Sequence, residues 1–140
     1  MRYVTTVDID APAERVWGIL SDVERWPEWT ASMTRVELLD GGELAVGGRA
    51  RIKQPAFPRL IWRVTQLQPG RSFSWTAKSA GMTTIAAHDL RQRDDAAVNV
   101  TVSIEQTGLF SRLVGMVFGG RTRRYLDMEA NGLKRRSEQQ

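Results

Sequence analysis

A chain of 140 residues has room for one hydrophobic core, and at this size it buries roughly two-thirds of its unfolded surface without staples. Five Trp, one His and no Cys exclude disulfides, thiolate metal sites, a cysteine nucleophile and any multi-histidine metal centre. Twenty Lys and Arg against sixteen Asp and Glu leave a charge of +4, but no nucleic-acid reader motif accompanies the excess.

No apolar run approaches the roughly 18 residues that span a bilayer. The first seven residues alternate, unlike the basic-then-apolar start of a signal peptide. These features predict a cytoplasmic protein with no cofactor, no metal and no nucleic-acid partner. They leave room for weak contact with a membrane surface. Either a monomer or a homodimer is compatible with them.

The elements follow in chain order. Residues 3–9 place Tyr3, Thr5, Val7 and Ile9 on one side at period two, which predicts a strand. Asp10, Pro12 and Glu14 then mark a helix start, with Asp10 as the cap. Val16, Trp17, Ile19 and Leu20 form its buried stripe. Ser21 and Asp22 open a second short helix that ends near Trp26 and Pro27.

Val36 and Leu38 alternate with charged neighbours, and Asp40-Gly41-Gly42 is a turn. Strands are predicted at 49–54, 60–64, 72–76, 83–91 and 97–106. Residues 55–58 (Pro-Ala-Phe-Pro) form a loop between the first two of these. Val98, Val100, Val102 and Ile104 give the last strand the clearest apolar face. From Leu109 to about Arg136 the three- and four-residue steps predict one helix roughly 40 Å long. Gly119 and Gly120 within it mark a kink or a close approach to the sheet. Residues 137–140 read as a fraying tail of a single domain spanning 1–140.

Short connections favour an antiparallel sheet. Each strand has one apolar face, and only the last helix is long enough to cover it. The expected architecture is α+β: a curved seven-stranded antiparallel sheet around a long C-terminal helix, with two short helices between strands 1 and 2.

Specific residues support the same picture. The run Ile9-Asp10-Ala11-Pro12-Ala13-Glu14-Arg15-Val16-Trp17, then Leu20-Ser21-Asp22-Val23-Glu24-Arg25-Trp26-Pro27-Glu28-Trp29, resembles the opening of the SRPBCC (START-like) superfamily. Within it, the chain is most similar to the polyketide cyclase/dehydrase-like members. Gln68-Pro69-Gly70-Arg71-Ser72-Phe73-Ser74-Trp75 and the ending Leu126-Asp127-Met128-Glu129-Ala130-Asn131-Gly132-Leu133-Lys134 carry the resemblance through the rest of the chain. It implies the helix-grip fold of the birch pollen allergen, with an apolar cavity between sheet and long helix. It does not imply one reaction.

On that frame, Thr84, Ala86, His88 and Leu90 share a strand face, with the register open by one residue. Ala50, Ile52, Gln54, Trp62, Trp75, Thr84, Ala86 and His88 are the expected sheet wall of the cavity. Val117, Arg121, Tyr125 and Met128 are the expected helix wall. His88 alone titrates near neutrality unperturbed. It is either a general base or hydrogen-bond donor to a bound carbonyl, or a satisfied strand histidine. No adjacent carboxylate identifies itself in the sequence. Arg121 and Tyr125 lie one turn apart and either bind a ligand carboxylate or enolate, or pack as surface groups. Trp26 and Trp29 either shape the cavity entrance or anchor a loop.

Three functions are compatible with this reading. The first is binding of a hydrophobic small molecule that is aromatic, polyketide-like or lipid-like. The second is a cyclase/aromatase-type enzyme in which His88 and Tyr125 assist enolisation and dehydration. The third is a stress-related or protein-interaction module.

Overall fold

The computed structural model describes residues 1–79 and 81–139. The chain opens with strand β1 (Arg2–Ile9), helix α1 (Ala13–Ser21) and a short 3₁₀ segment (Val23–Glu28), called the 3₁₀ turn below. Six strands follow: β2 (Arg35–Leu38), β3 (Arg49–Lys53), β4 (Leu60–Gln68), β5 (Ser72–Ser79), β6 (Met82–Asp94) and β7 (Ala97–Gly108). Helix α2 (Ser111–Glu138) completes the chain. The strands form one antiparallel sheet in the order β1-β7-β6-β5-β4-β3-β2. This is the α+β helix-grip architecture.

Side-chain alternation explains the sheet's two faces. Val98, Val100 and Val102 are fully buried and stand opposite Ile9, Val7 and Thr5 of β1. Phe73, Trp75 and Ala77 continue the buried face across β5, and Ile52, Trp62 and Val64 carry it to β3 and β4. Irregularities at Val64/Gln66 and Gln92/Asp94 break the register. Such bulges increase local twist and bend a sheet. The inner face packs on α1, the 3₁₀ turn and α2.

Caps differ from expectation. Pro12, not Asp10, is the N-cap of α1, and it makes no side-chain cap bond. The backbone N–H of Asp10 instead donates to Glu138 Oε2 at 2.8 Å. The 3₁₀ turn runs through Pro27 to Glu28, because the Trp29 N–H donates to the Trp26 carbonyl and carries it past the proline.

Helix α2 also extends beyond the expected end. Ser137 is buried. Arg15 donates to the carbonyls of Ser137 and Gln139, and Lys134 Nζ donates to the Asp8 carbonyl at 2.7 Å. Residues 137–139 of the expected tail are therefore tied to the domain by hydrogen bonds, and Gln140 lies outside the described residues. Gly119 is a close approach: a Cβ there would stand 2.8 Å from the Tyr3 hydroxyl of β1. Gly108, at φ 114°, ends β7 where a side chain would strike the Gly81 carbonyl. That tight crossing sets the start of α2 beside the β5–β6 turn.

Candidate functional site

A cavity of about 520 Å³ lies between the inner sheet face and α2. It exists because small side chains face it. Ala77, Thr84 and Ala86 leave space between Trp62, Trp75 and the helix. Phe110, Val114, Phe118, Thr122, Tyr125, Leu126 and Glu129 supply the helix wall. The lining is mostly apolar with a few polar groups, as small-molecule sites usually are.

Exposure of the lining is graded. Trp26, Trp75, Ala86, His88 and Glu129 are buried, whereas Ala56, Pro58, Phe110, Leu113 and Phe118 are exposed. The mouth therefore lies between the β3–β4 loop and the first turns of α2. That loop is strapped to the helix. The Tyr125 hydroxyl donates to the Pro55 carbonyl at 2.6 Å. The Phe57 ring packs edge-on against Phe118 at 5.7 Å and Tyr125 at 5.6 Å. Lys53 Nζ donates to the Gln54 and Phe57 carbonyls and holds the loop's curvature.

At the deep end, His88 Nε2 lies 2.9 Å from Glu129 Oε1. Their side chains are only 3% and 9% exposed. The imidazole stacks on Phe73 at 4.2 Å and meets the edges of Trp26 and Trp75. Its Nδ1 is 3.3 Å from the Phe73 carbonyl. The roles of the two ring nitrogens follow the tautomer: a hydrogen on Nε2 is donated to the Glu129 carboxylate, and a hydrogen on Nδ1 to the Phe73 carbonyl. Imidazole and carboxyl thus face each other at hydrogen-bond distance inside an aromatic box.

A second polar feature sits farther along the cavity. Gln106 lines it, is 7% exposed, and its side-chain oxygen has no partner among the described residues. Thr84 stands directly opposite it on β6. An orphaned buried acceptor is costly unless a donor meets it. A ligand hydroxyl or N–H would satisfy this one.

The structure separates the residues expected from sequence into two groups. Ile52, Gln54, Trp62, Trp75, Thr84, Ala86, His88 and Tyr125 line the cavity. Ala50 does not, because its single methyl is fully buried opposite the larger Trp62. Val117, Arg121 and Met128 do not either: the cavity-facing side of α2 runs one residue on from the expected one, through Phe118, Thr122 and Glu129. Val117 is 65% exposed, and its neighbour Phe118 faces inward. Arg121 and Tyr125 are consequently not brought together around the cavity. Trp26 sits at the deep end beside His88, away from the mouth, and its Nε1–H donates to the Leu20 carbonyl at 2.9 Å. Trp29 is buried against Gly132 of α2.

Glu129 and Gln106 went unnoticed in the sequence. A signal existed for Glu129: it shares the helix face of Leu126, Ala130 and Leu133, where a carboxylate is out of place without a partner. Among the described residues, no group of three or more His, Cys, Asp or Glu is placed to hold a metal ion.

Sheet, helix and cavity together define a helix-grip domain. The chain belongs to the family described as polyketide cyclase/dehydrase and lipid transport, whose model matches residues 1–138. A search of curated proteins finds no match. Among solved structures, a hypothetical protein from Helicobacter pylori superposes with a TM-score of 0.83 at 13% identity, covering 99% of this chain and 88% of its own. The Zhui aromatase/cyclase from Streptomyces sp. R1128 gives 0.80 at 16% identity, with 99% and 93% covered. A START superfamily protein from Mycobacterium smegmatis gives 0.75 at 17% identity, with 98% and 97% covered. At these identities the likeness is one of fold.

Proposed function

We propose that the protein binds a hydrophobic small molecule, aromatic, polyketide-like or lipid-like, in the cavity between sheet and α2. The observation that carries this reading is the cavity itself: about 520 Å³, walled by Trp62, Trp75 and Phe118, with polar groups confined to a few points. A ligand with flat apolar faces suits the indole walls. A hydroxyl on it would meet Gln106 Oε1. The family description supports the same class of ligand. We place this activity in the cytoplasm, in a monomer or homodimer.

The test is native mass spectrometry of the purified protein, followed by titration with aromatic and acyl-chain compounds while tryptophan emission is read. A retained or added apolar molecule that quenches the cavity tryptophans supports the proposal. Failure of every compound to bind would remove it.

One observation favours a second reading, a cyclase/aromatase-type enzyme. His88 and Glu129 set an imidazole and a carboxyl 2.9 Å apart beside an apolar space. In an aldol-type dehydration, a base takes a proton from carbon and the hydroxyl leaves with a proton as water. A pair that accepts one proton and returns it suits that sequence without net consumption. Tyr125 contributes a hydroxyl at the mouth. His88→Ala measured for binding and turnover separates the readings. Lost turnover with retained binding supports the enzyme; unchanged values for both remove His88 from any mechanism.

A further inference from the structure

The outward face of α2 near the cavity mouth is unlike the rest of the surface. Leu109 is 87% exposed, Met116 84%, Val117 65% and Leu113 59%. They occupy the lead-in and first two turns of the helix whose inner side walls the cavity through Phe110, Val114 and Phe118, and Leu113 itself sits on the cavity rim. Exposed apolar patches of this kind mark a surface that meets something.

Charge identifies the partner. No Asp or Glu occurs between Glu43 and Asp89, or between Glu105 and Asp127. The first stretch holds seven basic residues and the second four arginines. These stretches build the mouth. Arg59 follows Pro58 in the strapped loop, and Arg112 and Arg124 flank the apolar patch on α2; all three are exposed. A second copy of the chain would bring these arginines against their own images, with no carboxylate in either stretch to meet them. Apolar side chains rimmed by arginine instead match the interface of a bilayer carrying anionic headgroups.

We propose that the protein docks on anionic membrane surfaces through the first turns of α2, with Leu109, Leu113, Met116 and Val117 entering the headgroup–acyl boundary. Arg59, Arg112 and Arg124 engage lipid phosphates and carboxylates. The cavity mouth then faces the membrane. This proposal does not depend on what the cavity holds. Among the described residues no helix is long and apolar enough to cross a membrane, so the contact is interfacial.

The experiment is flotation of the full chain with phosphatidylcholine vesicles and with phosphatidylcholine/phosphatidylserine vesicles. Binding to the anionic vesicles is expected, weakening as salt shortens the screening length to about 8 Å and below. Arg112→Gln with Arg124→Gln lowers partitioning about 25-fold, at roughly fivefold per arginine. Met116→Asp with Val117→Asp abolishes it. None of the four side chains lines the cavity, so both double variants keep the wild-type near-ultraviolet circular dichroism and melting temperature. Equal binding to both vesicle types, no binding to either, or unchanged binding by both variants overturns the proposal. So does self-association of the wild type that Met116→Asp dissolves, which would make this face an interface between copies.

Discussion

His88 and Glu129 are each satisfied chiefly by the other at the deep end of the cavity. Truncating one leaves a buried polar group without its partner, which costs about 1–3 kcal/mol. Replacing both by apolar side chains of similar shape removes that penalty. Glu129→Leu should therefore lower unfolding free energy by about 1–3 kcal/mol in urea denaturation. Adding His88→Phe should recover most of the loss. Additive losses in the double variant would mean that the two residues do not act as a pair. His88 was legible in the sequence as the one histidine, set on a period-two strand. Glu129 was legible only as a carboxylate on the buried helix face; that it meets His88 was not, because the two lie 41 positions apart. Gln106 carried a signal too, since it follows Val98, Val100, Val102 and Ile104 at period two. The β6–β7 register sets it opposite Thr84, and both line the cavity.

The strands were readable because one face of each is apolar and the other polar, so period and face coincide. Helix α2 was readable in extent and not in phase. Over its first turns the outer side carries Met116 and Val117 while the inner side carries Leu113, Val114 and Phe118. Hydrophobicity cannot choose between two apolar sides, and Gly119 and Gly120 offer no side chain to break the tie. The same helix gives a test of packing. A Cβ on Gly132 would collide with the Trp29 carbonyl, which cannot swing aside as a flexible side chain would. Gly132→Ala should destabilise by about 1–3 kcal/mol. Gly120 meets nothing within 4 Å. Gly120→Ala should stabilise by up to about 1 kcal/mol through helix propensity. Thermal unfolding of the two variants checks both signs.

The end of α2 is pinned by charge. The Asp10 backbone N–H and the Lys134 ammonium hold the Glu138 carboxyl below its ordinary titration range. At the turn after β2, the Arg49 side chain and then its backbone N–H do the same for Asp40. A carboxylate with a lowered folded value adds stability above its unfolded value, and loses it as pH falls through the folded one. Stability should therefore decline on acidification below the usual carboxylate range. Glu138→Gln should flatten part of that decline while reducing stability at neutral pH. Melting temperatures from neutral pH to about pH 3 would show it. An unchanged acid limb would exclude Glu138 from the effect.

At the scale of the whole molecule, the sheet's curvature and the single long helix leave a space that the protein's own side chains do not fill. A ligand that enters this space and binds only the folded state adds about 2.7 kcal/mol at a hundred times its Kd. For a domain of this size that raises Tm by about 10 °C. If this space is the binding site, filling it with a side chain must block the ligand. Ala86 faces the cavity between Trp75 and Ile104, its register partners on β5 and β7. Ala86→Phe puts a ring into the space a ligand would take. Tryptophan-emission titration with an apolar ligand should give saturable quenching in the wild type and none in Ala86→Phe, with the variant melting at or above the wild-type temperature. Equal ligand affinity in a folded Ala86→Phe protein would mean that the ligand binds elsewhere.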